Sequence, residues 1–408
     1  MTIATHHIDA FAGTVLAPGD HGWDAARQAF NTDIDQQPAA IAMPADAADV
    51  ASALRFAARQ GLQVAPQRTG HNAGPLGDLR NVLLLKTDAL DGVAIDERAR
   101  RVRVGAAITW EQVTPRLSRL GLAALHGSSP DVGIVGYSLG GGVGWLARKH
   151  GMQTNAVTAI ELVTADGRLV RTDHEHEPEL FWALRGGGGN FGVVTAIEFE
   201  VHPVRELYAG ALFYPLEQTA DVLHAWTELL RPLRRLDPEI DSFAMQPPVG
   251  LSELAMDPRA PLPFRSAHAL IEQLPAAAIE DVARIAGPGS SLAMVQLRHM
   301  GGALARHEPG AGARATLPGE ICVFGLGVVP DAAAEPAVLS ELEALSAATA
   351  GQRVGEYPNF VETPVDASGF FDPHTWQRLR RVKAHYDPQD LFKGNHHVPP
   401  AQMHAAAA

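Results

Sequence analysis

Glycine is concentrated in three stretches of the first half of the chain: PQRTGHNAGPLG (residues 66–77), SLGGGVGWLARKHG (138–151) and RGGGGNFGVVT (185–195). Without a Cβ, glycine lets the backbone reach positive φ and approach a ligand closely. The third stretch contains a literal G-x-G-x-x-G at Gly187, Gly189 and Gly192. A dinucleotide-binding βαβ unit needs a strand before that pattern, a helix after it, and an acidic residue about 20 positions on. Here the order is reversed. PELFWALRG before the glycines has helical spacing, with Leu180 and Leu184 one turn apart, and VVTAIEFEV after them alternates like a strand. That order excludes the doubly wound nucleotide fold. Glycine turns also line up successive amides as nests for phosphate oxygens. Three such clusters in one unit point to a long, flat, phosphate-bearing cofactor touched by several loops.

The rest of the pattern reads as α+β. PAAIAMPADAADVASALRFAARQGLQVAPQRTGHN is strand, helix, strand, with Val50, Leu54, Ala57 and Ala58 on one helical face and Gly61 as the stop. VAIDERARRVRVG and IELVTADGRLVRT are hairpins, the second turning at Asp166-Gly167, and WEQVTPRLSRLG is a short helix. Beyond Leu207 the texture changes. LYAGALFYPL, SLAMVQLRHMGG and EICVFGLGVVP read as strands, and EQTADVLHAWTELL and AAAEPAVLSELEALSAAT as helices, the latter broken early by Pro336. The five prolines of QPPVGLSELAMDPRAPLPF predict a covering loop without regular structure. HTWQRLRRVKAHYDPQDLF predicts a last helix ending near Tyr386, ahead of Asp387-Pro388.

Composition narrows the function. A formal charge of −13 disfavours nucleic acid or an anionic membrane as partner, and Cys322, the only cysteine, excludes an internal disulfide and a thiolate zinc site. No apolar run reaches membrane-spanning length and the N-terminus lacks a secretory pattern, so the expectation is a cytoplasmic enzyme acting on a small molecule. HEHE (174–177), His396-His397 and His6-His7 read as solvated loops, with no metal site expected.

PQRTGHNAG, HGSSPDVGIVGYSLGGGVGWLARKHG, ELFWALRGGGGNFGVVT and YDPQDLFKGNHHVPP, in that order, resemble the berberine-bridge-enzyme-like flavoproteins of the vanillyl-alcohol-oxidase superfamily. The resemblance implies a two-part FAD-binding domain of the PCMH type with an inserted substrate domain built on an antiparallel sheet covered by helices. On that reading residues 1–203 form the FAD domain, 204–355 the substrate domain, and 356–408 a segment returning to the FAD domain. His71 stands where the family tethers FAD covalently through the flavin 8α carbon. Ser129 replaces the cysteine of a second tether, and a hydroxyl is a far weaker nucleophile than a thiolate; a single covalent link follows. The other cofactor contacts implied are Arg68, Thr69, Gly70, Asn72, Val132, Gly133, Gly136, Ser138, Gly140, Gly141, Gly142, Val193 and Asn395. A valine at 132 resembles the oxygen-permitting state of the family.

For catalysis, EYPNF resembles the family's Y-x-N segment, which makes Tyr357 the expected group for steering or deprotonating substrate. A free phenol titrates near about 10, so a base role needs a neighbouring cation such as Arg298. Gln296 and Arg298 share one face of their strand, with His299 on the other, and the HMGG ending departs from the family's Y-G-G. Glu320 is a weaker carboxylate candidate. The expected activity is FAD-dependent oxidation, hydride passing from a hydroxyl- or amine-bearing natural-product-like molecule to flavin N5 with O2 as re-oxidant. The alternatives are a dehydrogenase of the same fold using another acceptor, and a flavin-retaining cyclase or binding protein.

Overall fold

A computed structural model describes residues 8–228 and 238–402. Its three main sheets each draw their strands from one side of residue 204. In the first, Ala40–Met43, Val82–Lys86 and Gln63–Gln67 run parallel, and Thr14–Leu16 adds an antiparallel edge. The helix Ala47–Gln60 makes the parallel crossover: Asp46 caps its first turn by accepting from the Asp49 amide, and Gly61 ends it at φ 69°. The second sheet is antiparallel, in the order Val93–Asp96, Arg101–Gly105, Val193–Glu200, Val157–Val163, Leu169–Thr172. Both expected hairpins are present in it. The helix Pro178–Gly187 precedes the glycine-rich turn and the strand Val193–Glu200 follows it, the reversed order that the sequence predicts.

The third sheet is antiparallel, ordered Met294–His299, Ile321–Val328, Phe264–Ile271, Arg353–Gly355. Its two faces differ. Ala269, Ile271, Ile321 and Val323 pack under the helices Ala276–Ile285 and Glu335–Thr349, through Ile279, Val282 and Leu345. Gly325 and Gly327 let the second helix sit close: an added Cβ would lie 2.6 Å from Leu345 and 2.4 Å from Val338. Register aligns the opposite face in rows, Ser266–Leu326–Met294, then His268–Phe324–Gln296, then Leu270–Cys322–Arg298. This face looks toward the glycine-rich loops.

Three expectations need amending. LYAGALFYPL is two short strands, Leu207–Ala209 and Leu212–Phe213, because the chain breaks at Gly210, where an added Cβ would meet the Phe243 backbone at 2.5 Å. The proline-rich stretch is not wholly irregular: Pro248–Glu253 forms 3-10 turns, which tolerate proline at the start. The strand Phe264–Ile271 and the helix Ala276–Ile285 have no counterpart in the sequence reading. FRSAHALI mixes small, polar and apolar residues, and PAAAIEDVARI is dominated by alanine, so neither carries a strong period. The helix expected in EQTADVLHAWTELL spans Thr219–Thr227, its last residues lying outside the described ones, as do His6 and His7.

The final helix, Pro373–Tyr386, anchors the return of the tail. Lys383, fully buried, donates to Asp387 at 2.6 Å and to the carbonyls of Asn190 and Phe392 at 2.9 and 3.0 Å. Asp387 in turn accepts from the Leu391 and Phe392 amides. The tail then pairs beside Val64, and the Asn190 side-chain Nδ2 donates to the His396 carbonyl at 2.9 Å. This buried ion pair fixes where Asn395 and His396 stand.

Candidate active site

Between the glycine-rich loops and the open face of the third sheet lies a cleft of about 2210 Å³, its mouth included. One wall is mostly backbone. The strand Gln63–Gln67 delivers Arg68, Thr69, Gly70, His71 and Asn72 to it, with Gly70 at φ 74°. Ser129, Val132, Gly133, Gly136, Gly140 and Asn395 join them, with Gly186 to Asn190. Arg68 is tied back by the Ala107 carbonyl and Asp88, and Asn395 donates to the Asn72 carbonyl. Ser129 donates to Asp257 at 2.7 Å, which joins the proline-rich covering segment to this wall.

Four expected contacts stand behind the wall instead. Ser138 faces inward and donates to the Ile134 carbonyl at 2.7 Å, because it lies within the short helix Ile134–Gly140. Gly141 and Gly142 follow that helix away from the cleft, and the Gly142 amide is committed to Tyr357. Val193 packs in the core with Leu83 and Leu85; the alternation of its strand turns Gly192 and Val194 to the cleft in its place.

His71 is held tightly. Its ring stacks on Phe30 at 3.8 Å between centroids, and Nδ1 is 2.8 Å from the Thr69 hydroxyl. Nε2 is buried without a hydrogen-bond partner, 3.6 Å from an Asp131 carboxylate oxygen. The other Asp131 oxygen, Asn72 Oδ1, His396 Nδ1, and Arg314 Nε and Nη2 are buried and unpartnered too, and all but Asp131 belong to residues lining the cleft. Buried polar atoms are normally paired, so this group marks a polar ligand's place. A Cβ at Gly136 or Gly189 would touch no protein atom and would project into the cradle. Backbone wall, orphaned donors and acceptors, and a histidine nitrogen without a hydrogen-bond partner fit a large phosphate-bearing ring cofactor.

The opposite wall is made of side chains: Phe264, Met294, Phe324, Leu326 and Phe360, with Gln296 and Arg298 as its polar corner. Arg298 donates to Gln296 at 2.6 Å, and its guanidinium lies 5.0 Å over the Phe360 ring. His299 points the other way, stacked on Trp226. Glu320 is exposed and away from the cleft.

Tyr357 lines the cleft but does not suit the role of base. Its oxygen accepts from the Gly142 and Val143 amides at 3.1 and 3.0 Å, yet burial outweighs both and pushes the phenol up to about 12. At neutral pH it is a fixed, protonated hydroxyl. His396 is no solvated loop residue: its Nε2 lies 2.8 Å from the Pro358 carbonyl, and burial pulls it down to about 4.

The sequence reading passed over Glu362, Asp131, Asp257, Asn190 and His396 as site residues. Asp131 sits inside the motif segment SSPDVG and Glu362 five positions beyond Tyr357, so segment membership was the available signal. Nothing in spacing separates them from surface acids.

A glycine-lined backbone wall set against a side-chain-lined sheet, with His71 lining the space between, is the arrangement of a protein that holds a large cofactor beside its substrate. Residues 38–173 match the family described as FAD binding domain. (R)-6-hydroxynicotine oxidase of Paenarthrobacter nicotinovorans is 35% identical over 199 residues, 48% of this chain and 43% of that protein. Glucooligosaccharide oxidase of Sarocladium strictum is 34% identical over 188 residues, 46% of this chain and 38% of that one. The matched sequence thus spans less than half the length of either relative. Structurally the likeness is longer. The crystal structure of 6-hydroxy-D-nicotine oxidase from Arthrobacter nicotinovorans aligns with a TM-score of 0.82 at 25% identity, over 96% of this chain and 99% of that one. A BBE-like 1 variant from Physcomitrella patens shares the fold at a TM-score of 0.80 and 19% identity, over 96% and 97%. Residues 38–173 thus carry an FAD binding domain, and the chain as a whole has the α+β fold of these solved structures.

Proposed function

We propose that the protein is an FAD-dependent oxidase that removes hydride from a carbon bearing a hydroxyl or amine in a small, natural-product-sized molecule. The observation that carries this reading is His71 Nε2, buried and unpartnered in the same cleft as Gln296, Arg298 and Tyr357. When bound, FAD supplies the acceptor for the hydride and the route by which dioxygen becomes hydrogen peroxide. His71 holds the flavin covalently. Asp131 keeps the imidazole oriented by facing Nε2. Ser129 makes no second link, since its hydroxyl is engaged with Asp257.

Arg298, steadied by Gln296, binds the polar end of the substrate. Phe264, Phe324 and Phe360 cover its apolar body and exclude water, which strengthens every polar contact inside. Tyr357 acts as a positioned hydroxyl, its oxygen oriented by two amides. Val132 lines the cleft, in keeping with access for dioxygen. Residues 1–203 and 356–408 then form the cofactor unit and 204–355 the substrate unit, a division supported by sheets that do not share strands across residue 204. No helix among the described residues is long and apolar enough to cross a membrane, and a cytoplasmic location is part of the proposal.

Acid precipitation of purified protein tests the reading. Flavin fluorescence stays in the pellet of the wild type and leaves it in His71→Ala; a flavin that washes out of both removes the tether. An oxygen electrode, set against dye reduction, separates oxidase from dehydrogenase.

A further inference from the structure

Behind the glycine-rich turn lies a second cavity, about 1660 Å³ with its mouth, which the proposed oxidation does not use. The helix Pro178–Gly187 bounds one side, and residues 310–316 and the start of the helix Pro373–Tyr386 bound the others. The first helix loses its geometry at Arg185 and Gly186, the latter at φ 111°. Only glycine fits there, since an added Cβ would lie 2.2 Å from the Arg314 side chain. The break lets residues 313 and 314 dock along the helix end. The Ala313 and Arg314 amides donate to the Trp182 and Arg185 carbonyls at 3.0 and 3.2 Å. Two arginines from distant parts of the chain, Arg185 and Arg314, thereby come to line one cavity.

Both are buried, at 3% and 5% exposure, and neither has a carboxylate partner among the described residues. Burial pulls each guanidinium down to about 10, still far above neutral pH, so both stay charged. Arg185 lies 4.0 Å over the Phe181 ring and donates to the Phe181 and Gly310 carbonyls at 3.3 and 2.7 Å. Those bonds use Nε and Nη2, fix the group, and leave Nη1 without a protein partner among the described residues. Arg314 stands in the partition between this cavity and the cofactor cleft. Its Nη1 reaches the Phe370 carbonyl at 3.4 Å, and Nε and Nη2 have no partner. The carboxylates on the lining are committed elsewhere. Glu356 pairs with Arg353, and Asp372 caps the last helix through the His374 and Thr375 amides at 2.9 and 3.0 Å. The third arginine of the lining, Arg378, spends its charge on Glu179, at 2.9 and 2.6 Å. A buried charge is costly unless one of opposite sign meets it. Two such cations on one open cavity, in a chain of formal charge −13, call for an anion from solution.

We propose that this second cavity binds a dianion of the phosphate class, held by Arg185 and Arg314 and separate from the diphosphate of the flavin. A phosphate monoester carries about −1.5 to −2 at pH 7, which matches two fixed cations, whereas a carboxylate supplies one charge. A guanidinium fork also meets phosphate oxygens through two parallel hydrogen bonds. The phosphate is the free ion or an ester whose body lies beside Trp182 and Phe371, which line the same space. Gly186 to Asn190 line the cofactor cleft directly after Arg185, so an anion held there also steadies the loop wall from behind.

Titration calorimetry on the FAD-saturated full chain, in a phosphate-free buffer near neutral pH, is the test. Saturation with FAD keeps the probes out of the cofactor's own phosphate positions. Wild type binds inorganic phosphate or phenyl phosphate, and binds acetate about tenfold more weakly, as one charge against two. Arg185→Gln lowers the phosphate affinity by about ten- to hundredfold, the worth of a hydrogen bond to a charged group, and keeps the flavin absorption band. Arg185→Lys, which keeps the charge and loses the fork, weakens binding by a smaller factor and decides the matter if the glutamine variant does not fold. Tighter binding of phenyl phosphate marks an ester as the occupant, and tighter binding of inorganic phosphate marks the free ion. No phosphate binding by wild type, acetate bound as tightly as phosphate, or an affinity that neither substitution changes overturns the proposal.

Discussion

The two walls of the cleft recognise by different means. The loop wall presents backbone: glycines at 70, 133, 136, 140 and 186 to 189, steadied from behind by the buried Lys383–Asp387 pair. The sheet wall presents side chains, and its backbone is consumed in strand pairing. A backbone wall suits a ligand that never changes, because amide groups are the same whatever the residue. A side-chain wall can be rewritten residue by residue without disturbing the sheet, which suits a substrate that differs between relatives. The comparison also fits the position of the family match, residues 38–173, which supply much of the loop wall.

Removing the support behind the loop wall is the harshest way to break this contrast. Lys383→Met leaves Asp387 buried without its cation, which costs about 3–5 kcal/mol. The melting temperature falls by several degrees, and flavin loading falls with it as the tail carrying Asn395 loosens. A drop in melting temperature with flavin content unchanged would show that the tail does not shape the cofactor wall.

Asp131→Asn tests the orientation of His71 without touching the fold. Covalent incorporation, followed by acid-stable fluorescence after adding FAD to flavin-free protein, slows by about tenfold, as expected when the carboxylate charge 3.6 Å from Nε2 is removed. Non-covalent FAD uptake is unchanged.

Paired glycine substitutions sharpen the comparison. At Gly136 a methyl meets no protein atom, so Gly136→Ala leaves the flavin-free protein as stable or firmer by up to about 1 kcal/mol, since alanine favours the helix. Its flavin affinity falls, because the methyl fills the cradle. Gly325→Ala does the reverse: it presses on Leu345 at 2.6 Å and costs about 1–3 kcal/mol of stability, with flavin affinity intact. Melting curves with and without FAD read both effects, and identical behaviour of the pair would end the distinction.

The remaining effect is read in the pH profile of stability. The folded chain keeps the Glu362 proton up to about 8, whereas the unfolded chain loses it near 4.5. The folded state therefore binds more protons across that window, and this group's contribution to stability declines as pH rises through it. Glu362→Gln melts higher than wild type at pH 8.5 and close to it at pH 4.5. His396 acts in the opposite sense: held neutral down to about 4, it destabilises the fold as pH falls from 6.5 toward 4, and His396→Gln blunts that loss.

Much of the loop wall was legible. Glycine clusters are local signals, and the reversed helix–strand order around Gly187 was enough to exclude the wrong nucleotide fold. Where the reading slipped, the cause was direction: Ser138 and Val193 lie in the right segments, but a helix turn and a strand alternation point them into the core. The sheet wall was legible only in Gln296 and Arg298, through the period of their strand. Tyr357 lines the cleft, but the choice between steering and deprotonating was left to a neighbouring cation in the sequence, since its pKa depends on burial and on two amides more than 200 positions away.

By itself, then, the sequence determined the α+β class and where the glycine-rich turns fall, because turns, caps and periods are set by neighbours along the chain; His71 stood out only through the family resemblance. Only the tertiary structure decided which acids matter. Glu362 and Asp131 acquire their meaning from distant segments that strip away water and withhold or offer a partner, and no local pattern encodes that enclosure.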